Sequence, residues 1–87
     1  MNFVTAVRYV SGYKLELKFK DGLEGIIDLE AELWGEMFEP LKDVDFFKKV
    51  RVDAELDTIV WPNGADLAPE FLHETVLQSN EQLAAAH

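Results

Sequence analysis

Apolar and polar residues alternate without a break from Tyr13 to Lys20. This period of two predicts a half-buried strand whose other face is wet and basic. Turn dipeptides flank the segment, Ser11-Gly12 before it and Asp21-Gly22 after it, and the second is a strong hairpin signal. Segments suited to strands precede and follow it, at Phe3 to Val10 and Leu23 to Leu29. The pattern therefore predicts a three-stranded antiparallel meander.

The hydrophobic period changes after this meander. Leu29, Leu33 and Met37 recur four residues apart, which predicts a short helix. Gly35 weakens that helix and Pro40 ends it. A second short helix is predicted next, because apolar residues recur every third position, at Leu41, Val44, Phe47 and Val50.

Two further strands are predicted at Arg51 to Asp53 and Thr58 to Trp61. The order of strands and helices (β-β-β-α-α-β-β-α) indicates an α+β domain: a meander plus a second hairpin, with two or three short helices on one sheet face. We expect a single domain over residues 1–78 and a frayed tail over residues 79–87.

The segment Trp61-Pro62-Asn63-Gly64 predicts a sharp bend between the last strand and the last helix. Asp66 suits the N-cap of that helix, and Glu70 suits the positive end of its dipole. Pro69 offers a second start, since proline is favoured at the first helical position. The buried stripe of this helix is predicted at Phe71, Leu72, Thr75, Val76 and Leu77.

The chain is acidic, with 17 Asp and Glu against 8 Lys and Arg and a net charge of −9. Residues 21–39 and 52–87 contain acids but neither Lys nor Arg. Such a charge opposes direct binding to nucleic acid, which needs a basic footprint. Three interpretations stay open: solvated faces that keep the protein soluble, a docking surface for a basic partner, or complementary patches for self-association.

The chain has no cysteine, and no apolar run approaches the roughly 18–20 residues that span a membrane. We therefore expect no membrane association and a cytoplasmic location. The sequence gives no sign of a cofactor, because catalytic cysteines, glycine-rich phosphate loops and nucleophile-elbow motifs are all missing from it.

The string from Trp61 to Glu70, W-P-N-G-A-D-L-A-P-E, resembles a small bacterial family, domain-of-unknown-function family 2442. The upstream F-x-D-G at Phe19 to Gly22 and P-L-K-D-x-x-x-F at Pro40 to Phe47 are similar too. The resemblance implies a fold and no established activity. It implies genomic company like that of toxin–antitoxin components, beside another small protein. His73 stands where the family usually has Tyr, so it inherits no role.

The acids of this string have two interpretations. In the first, the residues of the string form a strand-to-helix corner: Trp61, Pro62, Asn63, Gly64 and Pro69. Asp66 then caps the helix by accepting backbone N–H bonds, and Glu70 interacts with the positive end of the helix dipole. In the second, Asp66, Glu70 and His73 share one helix face and hold a divalent metal that activates water. The second set is weak, since it offers one histidine and no further ligand cluster.

Trp34 and Phe38 are candidate interface residues, since exposed aromatic side chains are favoured anchors in protein interfaces. Burial of Trp34 in the core is the competing interpretation.

The preferred function is a non-enzymatic interaction module, an antitoxin-like partner of the product of a neighbouring gene. The alternative is a small metal-assisted hydrolase or ligand-binding protein centred on Asp66, Glu70 and His73. A homodimer stays open, because small sheets have edges prone to pairing.

Overall fold

A computed structural model describes the backbone of residues 2–85 and the side chains of residues 2–81. These residues form a three-stranded antiparallel sheet, a two-stranded hairpin and helices in the predicted α+β order. The strands are β1 (Val4–Ser11), β2 (Lys14–Phe19), β3 (Glu24–Asp28), β4 (Arg51–Asp53) and β5 (Thr58–Val60); the α-helices are α1 (Val44–Phe47) and α2 (Pro69–Ala85). No helix within residues 2–85 is long and apolar enough to cross a membrane.

The alternating strand β2 lies at the centre of the sheet, between β1 and β3. Its apolar side chains Leu15, Leu17 and Phe19 are buried, while Lys14 and Lys18 are exposed on the other face. The prediction of a half-buried strand with a basic outer face is therefore confirmed. The inner face forms one side of the core, and the outer face meets solvent.

Helix α2 covers part of this inner face. Leu72 and Val76 are fully buried, but Phe71, predicted in the same stripe, is 38% exposed. The helix approaches β3 closely because the strand carries Gly25 at the contact: a Cβ there would lie 2.9 Å from the Val76 Cγ1. The side chains of Val76 and Asn80 on α2 therefore pack close to the backbone of β3 at Gly25.

Trp61 connects the hairpin to the rest of the core. Its ring is 2% exposed, and its Nε1–H donates to the Phe47 carbonyl at 3.0 Å. The hairpin also meets the meander through the backbone, where the Val4 N–H donates to the Asp57 carbonyl at 3.0 Å. A single cluster of buried side chains thus includes residues from both sheets and from α1 and α2.

The prediction of a helix over Leu29 to Met37 is wrong. The chain makes one 3-10 turn at Glu30–Glu32 and then reverses direction at Gly35, whose φ is +86°. A residue with positive φ cannot continue a right-handed helix, so no helix can run through Gly35 to Met37. The second predicted helix does form at its centre, as α1, after a 3-10 turn at Glu39–Lys42.

Helix α2 begins at Pro69, the second of the two predicted starts. It continues through residues 79–85, where the sequence analysis expects a frayed tail, while residues 86–87 lie outside the described residues. Asn80 accounts for part of this extension, because its Nδ2 donates to the Glu24 carbonyl at 3.3 Å. The last helix therefore remains attached to β3 beyond its predicted end.

Candidate functional site

Asn63 organises the corner that follows β5. Its Oδ1 accepts the Ala65 N–H at 3.1 Å, and its Nδ2 donates to the Met37 carbonyl at 2.8 Å. The Gly64 N–H donates to the Trp61 carbonyl at 2.9 Å, and Gly64 itself has a φ of +88°. One amide side chain thus closes the bend and attaches it to a distant loop.

Asp66 and Glu70 are both exposed. Asp66 uses its backbone to form an isolated bridge with Val60, and within the described residues its carboxylate accepts no hydrogen bond. Ala68 takes the cap position instead, since its carbonyl accepts the Leu72 N–H at 3.2 Å and Pro69 follows as the first helical residue. The prediction that Asp66 caps α2 is wrong, because the helix begins three residues after it.

His73 pairs with Asp21, in the turn between β2 and β3, and not with the acids of the corner. Its Nε2 lies 2.8 Å from the Asp21 Oδ2, and its ring meets Phe19 edge-on at 4.9 Å between centroids. Asp21 also accepts the Leu23 N–H at 3.0 Å. That backbone hydrogen bond, followed by the hydrogen bond to His73, lowers the pKa of the Asp21 carboxyl below its usual value.

The structure therefore does not assemble the weak metal set of Asp66, Glu70 and His73. Among the described residues, no three His, Cys, Asp or Glu side chains are grouped so that they could hold a metal ion. Nothing in this arrangement favours a metal-assisted hydrolase over the ordinary structural use of these residues.

Trp34 is 72% exposed, so its burial in the core, the competing interpretation, is wrong. It lies on the loop formed by residues 33–38, hereafter the tryptophan loop, together with Met37, which is 46% exposed. Phe38 is half-buried, with its ring 6.4 Å from that of Trp61 at a steep angle. Of the two candidate interface residues, Trp34 faces solvent and Phe38 supports the loop from below.

The tryptophan loop is fixed at several points. Leu33 at its start is 4% exposed and belongs to the core. The carbonyl of Gly35 accepts the N–H groups of Phe38 and Glu39, at 3.1 Å and 2.9 Å. Asn63 holds the Met37 carbonyl from the corner. The exposed apolar side chains thus stand on a braced turn.

Acidic residues flank these exposed apolar residues along the chain. Glu30, Glu36 and Glu39 are exposed on and beside the loop, and Lys42 lies 3.2 Å from the Glu39 carboxylate. The exposure of Met37 is not predicted by the four-residue spacing, which places Met37 in a helical stripe. Gly35 and Pro40 were the signals for it, since each disfavours a helix through Met37.

A family model described as "Protein of unknown function (DUF2442)" matches residues 4–76. The chain belongs to this family. The match spans both sheets, the tryptophan loop and the corner, and so confirms the resemblance drawn from the W-P-N-G-A-D-L-A-P-E string. Neither a curated protein nor a solved structure matches the chain.

Proposed function

We propose that this domain is a non-enzymatic protein-interaction module that docks on another protein through the tryptophan loop. The observation that carries the proposal is the 72% exposure of Trp34 beside the exposed Met37. Tryptophan is among the residues most enriched at the energetic centres of interfaces, because it buries a large rigid surface. Met37 adds an adaptable apolar neighbour.

The rigidity of the loop supports the same proposal. Binding by a mobile loop loses affinity to the entropy of ordering it, whereas a preformed loop avoids much of that loss. Leu33 and the hydrogen bonds to Gly35 and Met37 already hold the turn. The domain therefore presents Trp34 at low entropic cost.

The charge around the loop indicates the chemistry of the partner. Glu30, Glu36 and Glu39 are exposed and lie within five residues of Trp34 in the sequence, and Glu39 pairs with Lys42. A partner with an apolar pocket rimmed by Lys or Arg would match both the ring and its surroundings. The genomic company that the family resemblance implies makes the product of a neighbouring gene the first partner to test, with this domain as its antitoxin-like neutraliser.

The test is co-expression with the product of the adjacent gene, followed by affinity purification at about 150 mM NaCl and titration calorimetry of the purified pair. We expect the wild type to co-purify and Trp34→Ala to weaken the Kd by about 30-fold, the loss typical of a hot-spot residue. Leu56→Ala is the matched control, since Leu56 is 52% exposed on the turn of the hairpin.

Two results would contradict the proposal. One is the absence of co-purification by the wild type. The other is equal loss of binding by Trp34→Ala and Leu56→Ala. Circular dichroism of both variants verifies that each is folded before binding is compared.

A further inference from the structure

Strand β3 is an edge strand with a free side. Within residues 2–85 the sheet order is β1-β2-β3, so nothing pairs with β3 on its far side. The Phe19 N–H donates to the Leu23 carbonyl at 2.8 Å, and the Leu29 N–H donates to the Tyr13 carbonyl at 2.9 Å. Because such bonds alternate along an antiparallel pair, the odd-numbered residues of β3 face β2. The N–H and C=O groups of Glu24, Ile26 and Asp28 therefore point outward.

This edge is covered by α2 at one end and is open beyond it. Asn80 reaches the Glu24 carbonyl, but Ile26 is 45% exposed, and an open groove of about 590 Å³ lies alongside. Ile26, Asp28, Ser79 and Asn80 are among the residues that line it. Edge strands are usually protected by proline, bulges, inward or edge charges, short length or a covering helix, of which β3 has a length of five residues, two acids and the neighbouring α2. β3 has no proline, and its pairing with β2 is regular from Lys14 to Lys18.

On the outer face of the sheet, bases of β2 stand opposite acids of β3, and no strand among residues 2–85 continues this pattern beyond β3. In β2, Lys18 stands opposite Glu24 and Lys14 stands opposite Asp28. Between them Glu16 stands opposite Ile26 and is paired with Arg8 of β1 at 3.2 Å. Each acid of β3 thus stands opposite a base on β2. On the side away from β2, no neighbouring strand among residues 2–85 supplies a second base.

We propose that β3 accepts a strand from another protein, one in which Lys or Arg flank an apolar residue. The free backbone groups at Ile26 and Asp28 would pair with the added strand. Its bases would lie opposite Glu24 and Asp28, its apolar residue would cover Ile26, and small polar residues between them would meet Ser79 and Asn80. This inference is independent of the tryptophan loop.

A second copy of the chain fits this edge poorly. Antiparallel pairing of two β3 strands centred on Ile26 would place each Glu24 opposite the Asp28 of the other copy. Like charges in directly opposed positions destabilise a sheet, and this pairing would create two such contacts. The charge pattern therefore selects a basic strand over self-association.

The probe for this site is the blocked peptide Thr-Lys-Thr-Val-Thr-Lys-Thr, which has the same sequence in both directions. The control peptide has Glu in place of both Lys. Titration followed by NMR should shift the amides of Ile26 and Asp28, and the Lys peptide at saturation should slow their hydrogen exchange by about 10-fold or more. The Glu peptide should cause neither change.

Glu24→Lys and Glu55→Lys form the matched pair of variants. Both change the net charge equally, but Glu24 lies on β3 and Glu55 is exposed on the hairpin turn. Asp28 is unsuitable, because its carboxylate accepts the Glu30 N–H at 3.0 Å. We expect Glu24→Lys to weaken the Kd of the Lys peptide by about 5-fold or more and Glu55→Lys by less than about 2-fold.

Four results would overturn the inference. The first is an unchanged exchange rate at Ile26 and Asp28 with the Lys peptide. The second is equal weakening by Glu24→Lys and Glu55→Lys, which would indicate attraction by net charge alone. The third is a concentration-dependent dimer of the wild type that already protects these amides. Shifts confined to the tryptophan loop would locate the peptide there and also overturn it.

Discussion

At the scale of single residues, the corner after β5 depends on an amide and not on its acids. Asn63 bonds to the Ala65 N–H and to the Met37 carbonyl at once, and Met37 lies 26 positions before Asn63. Asp66 contributes only its backbone to the bridge with Val60. Neutral side-chain hydrogen bonds contribute about 0.5–1.5 kcal/mol each, so Asn63 should be the more sensitive position.

We expect Asn63→Ala to lower the free energy of unfolding by about 1–3 kcal/mol, because the variant removes both hydrogen bonds. Asp66→Asn should change it by less than about 0.5 kcal/mol, as an exposed substitution that keeps the backbone bridge. Urea denaturation of both variants measures the difference. A larger loss from Asp66→Asn than from Asn63→Ala would contradict this assignment.

The sequence predicted the corner but not how it is held. Pro62, Asn63 and Gly64 carry local turn preferences, which a sequence displays directly. The contact from Asn63 to Met37 and the pairing of His73 with Asp21 depend on tertiary folding. Neither residue pair has a periodic or spacing signal, so local patterns could not reveal them.

At the scale of elements, Gly25 sets the distance between β3 and α2. A Cβ at this position would meet the Val76 Cγ1 at 2.9 Å and the Asn80 Oδ1 at 3.1 Å. Both neighbours lie on α2, so a larger residue would push the helix away from the sheet. The absence of a side chain at Gly25 therefore permits the close packing of α2 on β3.

Gly25→Ala should lower the free energy of unfolding by about 1–3 kcal/mol, the usual range for overpacking. Val76→Ala relieves the crowding, so the double variant should lose less stability than the two single variants together. Thermal or urea unfolding of all four proteins completes the cycle. Strict additivity would show that the two positions do not press on each other.

A second contact between elements joins α2 to the turn after β2 and should depend on pH. The lowered pKa of Asp21 means that its ionised form stabilises the folded state. That contribution is complete above the unfolded pKa, near 3.8, and is lost as the pH falls through the lower folded value.

The stability advantage of the wild type over Asp21→Asn should therefore shrink between about pH 5 and about pH 2.5. Urea midpoints measured across this range test the prediction. Glu36→Gln, which removes one exposed acid of the tryptophan loop, is the charge-matched control. An Asp21→Asn deficit that stays constant with pH would exclude the carboxylate as its source.

The strand with strict alternation was predictable, whereas the segment from Leu29 to Met37 was not. β2 shows its period over its whole length, because one face is buried and the other wet. The segment from Leu29 to Met37 also has a helical spacing, yet only Leu29 and Leu33 are buried. Gly35 takes a positive φ that residue spacing does not report.

At the scale of the whole molecule, the two sheets share one core. Buried residues of the meander, the hairpin, α1 and α2 form a single cluster. The Trp61 ring packs against Phe47 at 5.8 Å between centroids, and its N–H is satisfied there. Neither sheet could lose its packing without exposing apolar surface of the other.

We therefore expect unfolding in one cooperative transition, without a stable intermediate that keeps either sheet alone. Differential scanning calorimetry should give equal calorimetric and van't Hoff enthalpies. Far-UV circular dichroism should share the same midpoint. A second transition, or loss of the hairpin amides from hydrogen-exchange protection well before those of β2, would contradict a shared core.

The contrast between the two tryptophans provides separate spectroscopic reporters in the unmodified protein. Trp61 is 2% exposed and Trp34 is 72% exposed, and the chain has no others. Acrylamide should quench the red-shifted emission of Trp34 and spare the blue-shifted emission of Trp61. A ligand seated on Trp34 would suppress that quenching, whereas unfolding would extend it to Trp61. One fluorescence experiment can thus distinguish occupancy of a surface from loss of structure.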